Sequence, residues 1–341
     1  MSDNSKIEWT DATWNPVTGC SVVSPGCTNC YAMGLAGTRL RNHPSRAGLT
    51  DESKAGPVWN GKVRLNEEWL TQPLKWRRPR MIFVCAHGDL FHEGVPDEWI
   101  DRVFAVMALS PQHTFQVLTK RAKRMREYMG DMMQPGSARV MKIGQATAQF
   151  VAFVADQSSV VWFPLPNVWL GVSAEDQTRA DERVPDLLAT PAAVRFVSAE
   201  PLLGPIDFNE VIPNPIAWNF KYGFDGLNWI IAGGESGRDA RPMHPDWARS
   251  IRDQCATAGV AFFFKQWGEW EVAVDRERDD PDWRKDYSHD YVDRGKSRWL
   301  NLAGGRGFHG ERFHVMRQVG KAVAGRLLDG QTHDAMPQRS A

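Results

Sequence analysis

Cysteine is scarce, with five in 341 residues. That is too few for the disulfide framework of a small secreted scaffold. Nowhere do 18 apolar residues run together, so no membrane span is expected. The N-terminal MSDNSKIEWTD lacks the apolar core of a secretory signal. Net charge is absent too: 41 basic residues balance 41 acidic ones, so total charge implies no strongly basic binding face, although a local patch stays open. There is no H-x-H pair and no close carboxylate dyad, which argues against a TIM-barrel hydrolase with merely structural cysteines. Internal repeats and low-complexity tracts are missing as well. These absences point to a folded chain in a reducing cytoplasm.

What is present is a series of short apolar runs, each ending in small or polar residues. MIFVCAHGDLF covers 81–91, TFQVLTK 114–120, NVWLGVSAE 167–175, VRFVSAE 194–200, NWIIAGGESG 228–237 and VAFFFKQWG 260–268. Such near-continuous runs suit strands buried on both faces of a parallel sheet. Helical patterns lie between them. VPDEWIDRVFAVMALS places Trp99, Val103, Phe104, Val106 and Met107 on one face, with Pro96 and Asp97 at its start. RAKRMREYM reads as a basic amphipathic helix, and HPDWARSIRDQCATAG as a helix stopped at Gly259. Strand and helix in alternation predict a β/α fold with right-handed crossovers. Asp89, Lys120, Glu175, Glu200, Glu235 and Lys265 follow the successive runs. Polar residues at every strand end favour a partial parallel β/α barrel over an open sheet, which uses only its switch point. The expected organisation is a barrel over 1–268 with an insertion at about 130–166, then an irregular C-terminal cap over 269–341 whose segment FHVMRQVGKAVAGRLLDG is a helix. Most of the fifteen tryptophans, including Trp9, Trp14, Trp59, Trp267 and Trp270, are expected to pack turns against the core, the other reading being a stacking surface.

Three cysteines cluster in WTDATWNPVTGCSVVSPGCTNCYAM as C-x6-C-x2-C: Cys20, Cys27 and Cys30. The C-x2-C pair lets two thiolates converge, and Pro25 and Gly26 bend the chain so that Cys20 can join them. Three thiolates without an obvious fourth cysteine suit a 4Fe–4S cluster with one open iron, where S-adenosylmethionine can chelate. The competing reading is a Cys₃His zinc site, with His43 as the nearest fourth ligand. Cys85 and Cys255 read as core thiols. Lys120, Arg121, Lys123, Arg124 and Arg126 form a basic cluster that is either a solvated face or a phosphate contact, to which Arg238, Arg241 and Lys265 could add.

The segments IEWTDATWNPVTGC…GCTNCYA, IFVCAHGDLFHEGVPDEW, TFQVLTKRAKRM, NVWLGVSAEDQ, VSAEPLLGPID, IAGGESG…ARPMHPDW and FFFKQWGEW, in this order over about 7–268, resemble the phage-type three-Cys-motif family, a family related to the radical S-adenosylmethionine superfamily. The TK of TFQVLTKRAKRM, at the end of the third strand, is also similar to that of spore photoproduct lyase-like enzymes. The resemblance implies a radical-type partial barrel of six or seven strands, a 4Fe–4S cluster on the loop after the first strand, and S-adenosylmethionine across the strand ends. The implied function is an iron–sulfur enzyme that generates a 5′-deoxyadenosyl radical and acts on a nucleic-acid base or nucleotide. An electron donor such as flavodoxin or ferredoxin is the implied partner, with no membrane. The departure is the first gap, six residues where the common motif has three. On this reading Asp89 meets the methionine amine, Ser173 and Glu175 the ribose or methionine, and Gly233 and Gly234 the adenine. Lys120, Glu200, Glu235 and Lys265 face substrate. The alternative is a non-catalytic nucleic-acid-binding protein stabilised by zinc or an iron–sulfur cluster.

Overall fold

The computed structural model describes residues 5, 7–134, 136–150, 163–211, 226–277, 279–281, 295–305 and 312–337. In chain order the elements are β1 (Ala12–Trp14), β2 (Val17–Thr18), α1 (Tyr31–Gly37), β3 (Thr50–Ser53), β4 (Gly56–Trp59), β5 (Arg64–Leu65), α2 (Glu67–Leu70), β6 (Met81–Val84), α3 (Asp97–Ala108), β7 (Thr114–Thr119), α4 (Ala122–Met132) and α5 (Ala138–Phe150). There follow β8 (Val168–Ser173), α6 (Gln177–Leu188), β9 (Val194–Ala199), β10 (Trp229–Gly233), α7 (Pro245–Ala258), β11 (Ala261–Gln266), β12 (Trp270–Glu277), β13 (Ser297–Trp299) and β14 (Arg312–Gln318). Seven strands form one curled parallel sheet in the order β1-β6-β7-β8-β9-β10-β11, the half-barrel of a mixed α/β fold. The chain divides into two compact units, one of residues up to Val172 with Arg183–Phe196, the other of Ser173–Glu182 with Val197–Pro337.

In the first unit, β6 pairs in parallel with both β1 and β7, and β7 with β8. Their apolar runs are buried: Ile82, Phe115, Val117 and Leu170 have essentially no exposure. The α3 helix buries Ile100, Val103, Phe104, Val106 and Met107, each worth about 1.5–3 kcal/mol as an apolar side chain removed from water. Asp97 and Glu98 in its first turn complement the positive end of the helix dipole. The α4 helix buries Met125, Tyr128, Met129 and Met132 at three- and four-residue spacing, which turns its basic residues outward or into ion pairs. The stretch read as an insertion contains the end of α4 and then α5, which packs on α3; 151–162 lie outside the described residues. Trp9, Trp14 and Trp59 are buried, as expected of tryptophans packing turns against the core.

In the second unit, β10 and β11 pair in parallel and α7 packs on both. Gly259 closes α7 in the left-handed conformation (φ 69°), where a Cβ would be strained. Trp267 and Trp270 are buried, and Trp270 donates its indole N–H to Ala240 O at 2.8 Å. The C-terminal segment differs from expectation. Residues read as a helix instead form β14, the centre of an antiparallel sheet ordered β12-β14-β13, and only Lys321–Ala324 is helical. Gly320 (φ 93°) and Gly325 (φ 69°) bracket that turn in backbone regions a helix cannot continue through.

Candidate functional site

The three cysteines lie on the connection after β1. Its route is fixed by buried polar contacts. Asn66 donates its side-chain amide to Asn15 O at 3.0 Å, Asn15 Oδ1 accepts from His87 N at 3.0 Å, and Thr18 Oγ1 donates to Ser45 O at 2.7 Å. Gly19 then forms a parallel bridge with Gly88, beyond the end of β6, and donates its N–H to His87 O at 3.2 Å. At Gly19 the backbone is left-handed (φ 96°), and a Cβ would stand 2.2 Å from Lys62 O. Only glycine fits there. Cys20 therefore sits beside the C-terminal ends of β1 and β6, where β/α proteins assemble their sites. Pro25–Cys27 make a tight turn, Cys30 N donates to Cys27 O at 3.3 Å, and Cys30 caps α1. Cys20 and Cys30 pack against the cluster of Ala32, Met33, Ala36, Leu49 and Trp59. Val22 and Val23, on the same loop, are exposed.

Arg121 is the centre of the polar shell around Cys20. Its guanidinium donates from Nη1 to Cys20 Sγ at 3.3 Å and to Asp89 Oδ2 at 3.2 Å. From Nη2 it donates to Ser21 Oγ at 2.7 Å and Ser21 O at 3.3 Å, and from Nε to Glu93 at 3.4 Å. Asp89 is 5% exposed, and its carboxylate accepts three further bonds: from Thr119 Oγ1 at 2.7 Å, Phe91 N at 3.0 Å and Lys120 N at 3.1 Å. Thr119 Oγ1 in turn accepts from Arg121 N at 2.9 Å, which sets the arginine at the start of α4. Burial pushes the Cys20 thiol up to about 12, the Asp89 carboxylate adds to this, and the Arg121 cation opposes it. Ser21 Oγ also lies 3.0 Å from His92 Nε2, and His92 Nδ1 accepts from Gly94 N at 3.0 Å. With Nδ1 accepting, a neutral His92 carries its proton on Nε2 and donates it to Ser21.

The other expected residues occupy strand ends of the second unit. Glu200 and Lys265 form a half-buried ion pair, with Nζ 2.7 and 2.9 Å from the two carboxylate oxygens, and Gln266 Nε2 donates to Glu200 at 3.2 Å and to Ser236 Oγ at 2.8 Å. Glu235 is buried and accepts from Arg241 N and Nε, both at 2.8 Å. Ser173 and Glu175 are buried, and Glu175 O accepts from Leu203 N at 2.7 Å. A Cβ on Gly234 would meet Trp267 O at 2.0 Å, so the chain itself uses that missing side chain; on Gly233 the nearest atoms, at 3.4 Å, belong to Glu200 and Lys265. Asp89, Glu200 and Glu235 are thus each held by a cation: Arg121, Lys265 and Arg241.

The basic cluster is largely neutralised. Arg124 pairs with Asp97 at 2.8 Å and Arg126 with Asp186 at 2.7 Å, while Lys120 and Lys123 have no acidic partner among the described residues. Cys85 and Cys255 are buried thiols, each pushed up to about 12 by burial. His43, the alternative fourth ligand, accepts from Ser45 N at 3.2 Å on Nδ1 and lies against the Trp69 ring.

Among the described residues, His244, Asp246 and His314 are the one trio of metal-ligating side chains with donor atoms within 4.8 Å of one another. Their chemistry is that of an ion-pair network. His244 Nδ1 accepts from Asp246 N at 3.1 Å, so the proton of the neutral ring sits on Nε2 and blocks it as a ligand. Burial, reinforced by His314, pushes His244 down to about 3. Arg249 takes Asp246 at 2.8 Å and also pairs with Asp275. Although burial opposes it, hydrogen bonds from His314, Arg249 and Arg312 hold Asp275 well below the usual carboxylate range.

Of the residues singled out in the sequence, Cys20, Asp89 and Lys120 come together around Arg121: Arg121 donates to Cys20 and Asp89, and Lys120 N donates to Asp89. Sequence reasoning missed Arg121 as more than one of several surface cations, and it missed Ser21, His92, Gln266 and Ser236 altogether. Only the position of Arg121 directly after the β7 end carried a signal. No helix among the described residues is long and apolar enough to cross a membrane.

The chain belongs to the DUF5131 family, described as a protein of unknown function, which matches residues 4–337. No curated protein and no solved structure matches it.

Proposed function

We propose that the protein is an iron–sulfur enzyme of the radical S-adenosylmethionine type, with Cys20, Cys27 and Cys30 as cluster ligands and a nucleic-acid base or nucleotide as substrate. One observation carries this reading: the Gly19–Gly88 bridge pins the three-cysteine loop at the C-terminal ends of β1 and β6 in a parallel sheet. Three thiolates without a fourth cysteine beside them suit a 4Fe–4S cluster with one open iron, and His43, the candidate fourth ligand of a zinc site, already accepts from Ser45 N on Nδ1.

Held by Cys20, Cys27 and Cys30, such a cluster would supply one-electron reducing chemistry toward a bound S-adenosylmethionine. The chain's own part begins at Cys20, whose buried thiol must lose its proton to ligate; Arg121 stands ready to offset the thiolate charge. Asp89, with four bonds already accepted, orients Arg121 and fixes the β7 end. In the second unit, Lys265 donates to both carboxylate oxygens of Glu200. A flavodoxin- or ferredoxin-like donor is the proposed electron source.

Anaerobic purification followed by iron and sulfide analysis tests the assignment. Cys20→Ala, Cys27→Ala and Cys30→Ala should each lose the broad visible absorbance, whereas Cys85→Ala and Cys255→Ala keep it. The reduced protein should cleave S-adenosylmethionine. Full iron content in the triad variants, or zinc alone in the wild type, overturns the reading. The internal neutralisation of Asp89, Glu200 and Glu235 favours a second reading, a metal-stabilised nucleic-acid-binding protein without catalysis. Iron content without S-adenosylmethionine cleavage selects it.

A further inference from the structure

The Arg121 guanidinium is more elaborately held than an ordinary ion pair requires. It is 7% exposed, and all three of its nitrogens donate. Two anions flank it, one buried (Asp89) and one largely exposed (Glu93, 65% side-chain exposure). Asp89 is fixed by a hydroxyl and two backbone N–H groups. Ser21 Oγ accepts from Arg121 and from His92. The outcome of this scaffold is one N–H aimed at the Cys20 sulfur at 3.3 Å.

We propose that Arg121 is a positioning residue for the metal centre, donating an N–H···S hydrogen bond to the Cys20 thiolate and raising the reduction potential of the iron–sulfur cluster. The inference rests on the cluster assignment above. Reduction adds negative charge to the cluster and its sulfurs. A fixed cation and a hydrogen bond to a ligating sulfur favour the more negative form, and net charge and such hydrogen bonds are main determinants of cluster potential. The same arrangement locks the orientation of Cys20, since outer-shell partners orient the ligands they touch. Glu93 acts in the opposite sense. Its carboxylate shares the Arg121 charge through Nε and weakens what reaches the sulfur.

The test is a redox titration of the reconstituted full-length protein, followed by its visible and electron paramagnetic resonance signals. Arg121→Met should retain iron and sulfide but disfavour reduction about tenfold, a shift of about −59 mV for a one-electron couple. Arg121→Lys keeps the charge without the fixed fork, and its potential should lie between the two. Glu93→Gln, at an exposed carboxylate, leaves the fold in place and should shift the potential positively. It keeps the inference falsifiable if Arg121→Met does not fold. Loss of stability with an unmoved potential makes Arg121 merely structural and overturns the inference; so does an unmoved potential in Glu93→Gln. A wild-type protein without iron and sulfide sinks the cluster assignment itself, a result distinct from a cluster whose potential ignores Arg121.

Discussion

Gly19 and Gly88 face each other across a parallel bridge, with the Gly19 carbonyl 3.1 Å from where a Cβ on Gly88 would stand. This contact sets Cys20 against the turn that carries Asp89. The two glycines are not equally demanding. Gly19 combines a left-handed backbone with a 2.2 Å clash against Lys62 O, whereas Gly88 has an ordinary φ and nearest contacts of 3.0–3.1 Å. Gly19→Ala is therefore expected to cost about 1–3 kcal/mol in backbone strain alone, with a loss of metal content beyond what stability explains. Gly88→Ala should cost less. Chemical denaturation of both variants, beside their metal analysis, checks the order; equal effects would show that the bridge does not position the loop.

Asp89 and Arg121 form a buried pair, and breaking such a pair leaves an uncompensated charge. Asp89→Asn should destabilise the protein by about 3 kcal/mol, somewhat less if Glu93 takes over the guanidinium. It should also disturb Cys20 through Arg121. A contact to the amine of S-adenosylmethionine would instead give weaker ligand binding at unchanged stability. Urea unfolding and calorimetry, run on the same variant, separate the two roles.

His87 is held neutral. Burial pushes it down to about 4, the Arg46 cation contributes, and Nδ1 has no hydrogen-bond partner among the described residues. An unfolded histidine titrates near 6.5. Between these values the unfolded chain binds a proton that the folded chain does not, so folding stability falls as pH drops from about 6.5 to about 4. The slope is at most about 1.4 kcal/mol per pH unit, and about 2 kcal/mol in total is expected because His87 keeps some solvent contact. His87→Gln should remove this part of the slope. Parallel denaturation curves for wild type and variant between pH 7 and 4 would speak against it.

Six of the seven parallel strands were legible because they are apolar on both faces; β7 spans Thr114–Thr119 as the sequence pattern has it. β1 is only Ala12–Trp14 and has no run to recognise. β14 was misread because Val315 and Met316, both buried, suit either period, and only Gly320 and Gly325 break the helix. The cysteine loop announced itself by spacing. The partners of its polar neighbours did not, since Arg121 meets Cys20 across 101 residues and Arg126 meets Asp186 across 60, separations over which local pattern carries no information.

The remaining cations of α4 bear on the substrate. A run of like charges repels itself unless acids or an anionic ligand offset it, and here acids already hold the arginines: Arg121 by Asp89, Arg124 by Asp97 and Arg126 by Asp186. Arg124 in addition donates to Val95 O at 2.8 Å, so Arg124→Ala should lower stability with little change in any nucleic-acid affinity. Lys120 directly follows β7, where its N–H donates to Asp89, and Lys123 is exposed. These two are the cations left for phosphate. Each phosphate contact releases counterions, adding about 0.7 to the salt slope on single strands and about 0.9 on duplex. The paired replacement Lys120→Ala with Lys123→Ala should therefore flatten the slope by about 1.4 to 1.8 while leaving thermal stability unchanged. Fluorescence anisotropy with short single- and double-stranded oligonucleotides over a salt series reads this directly. Wild type that binds neither at low salt would remove polymeric nucleic acid as substrate and leave a free nucleotide, for which a competition series with mononucleotides is the next measurement.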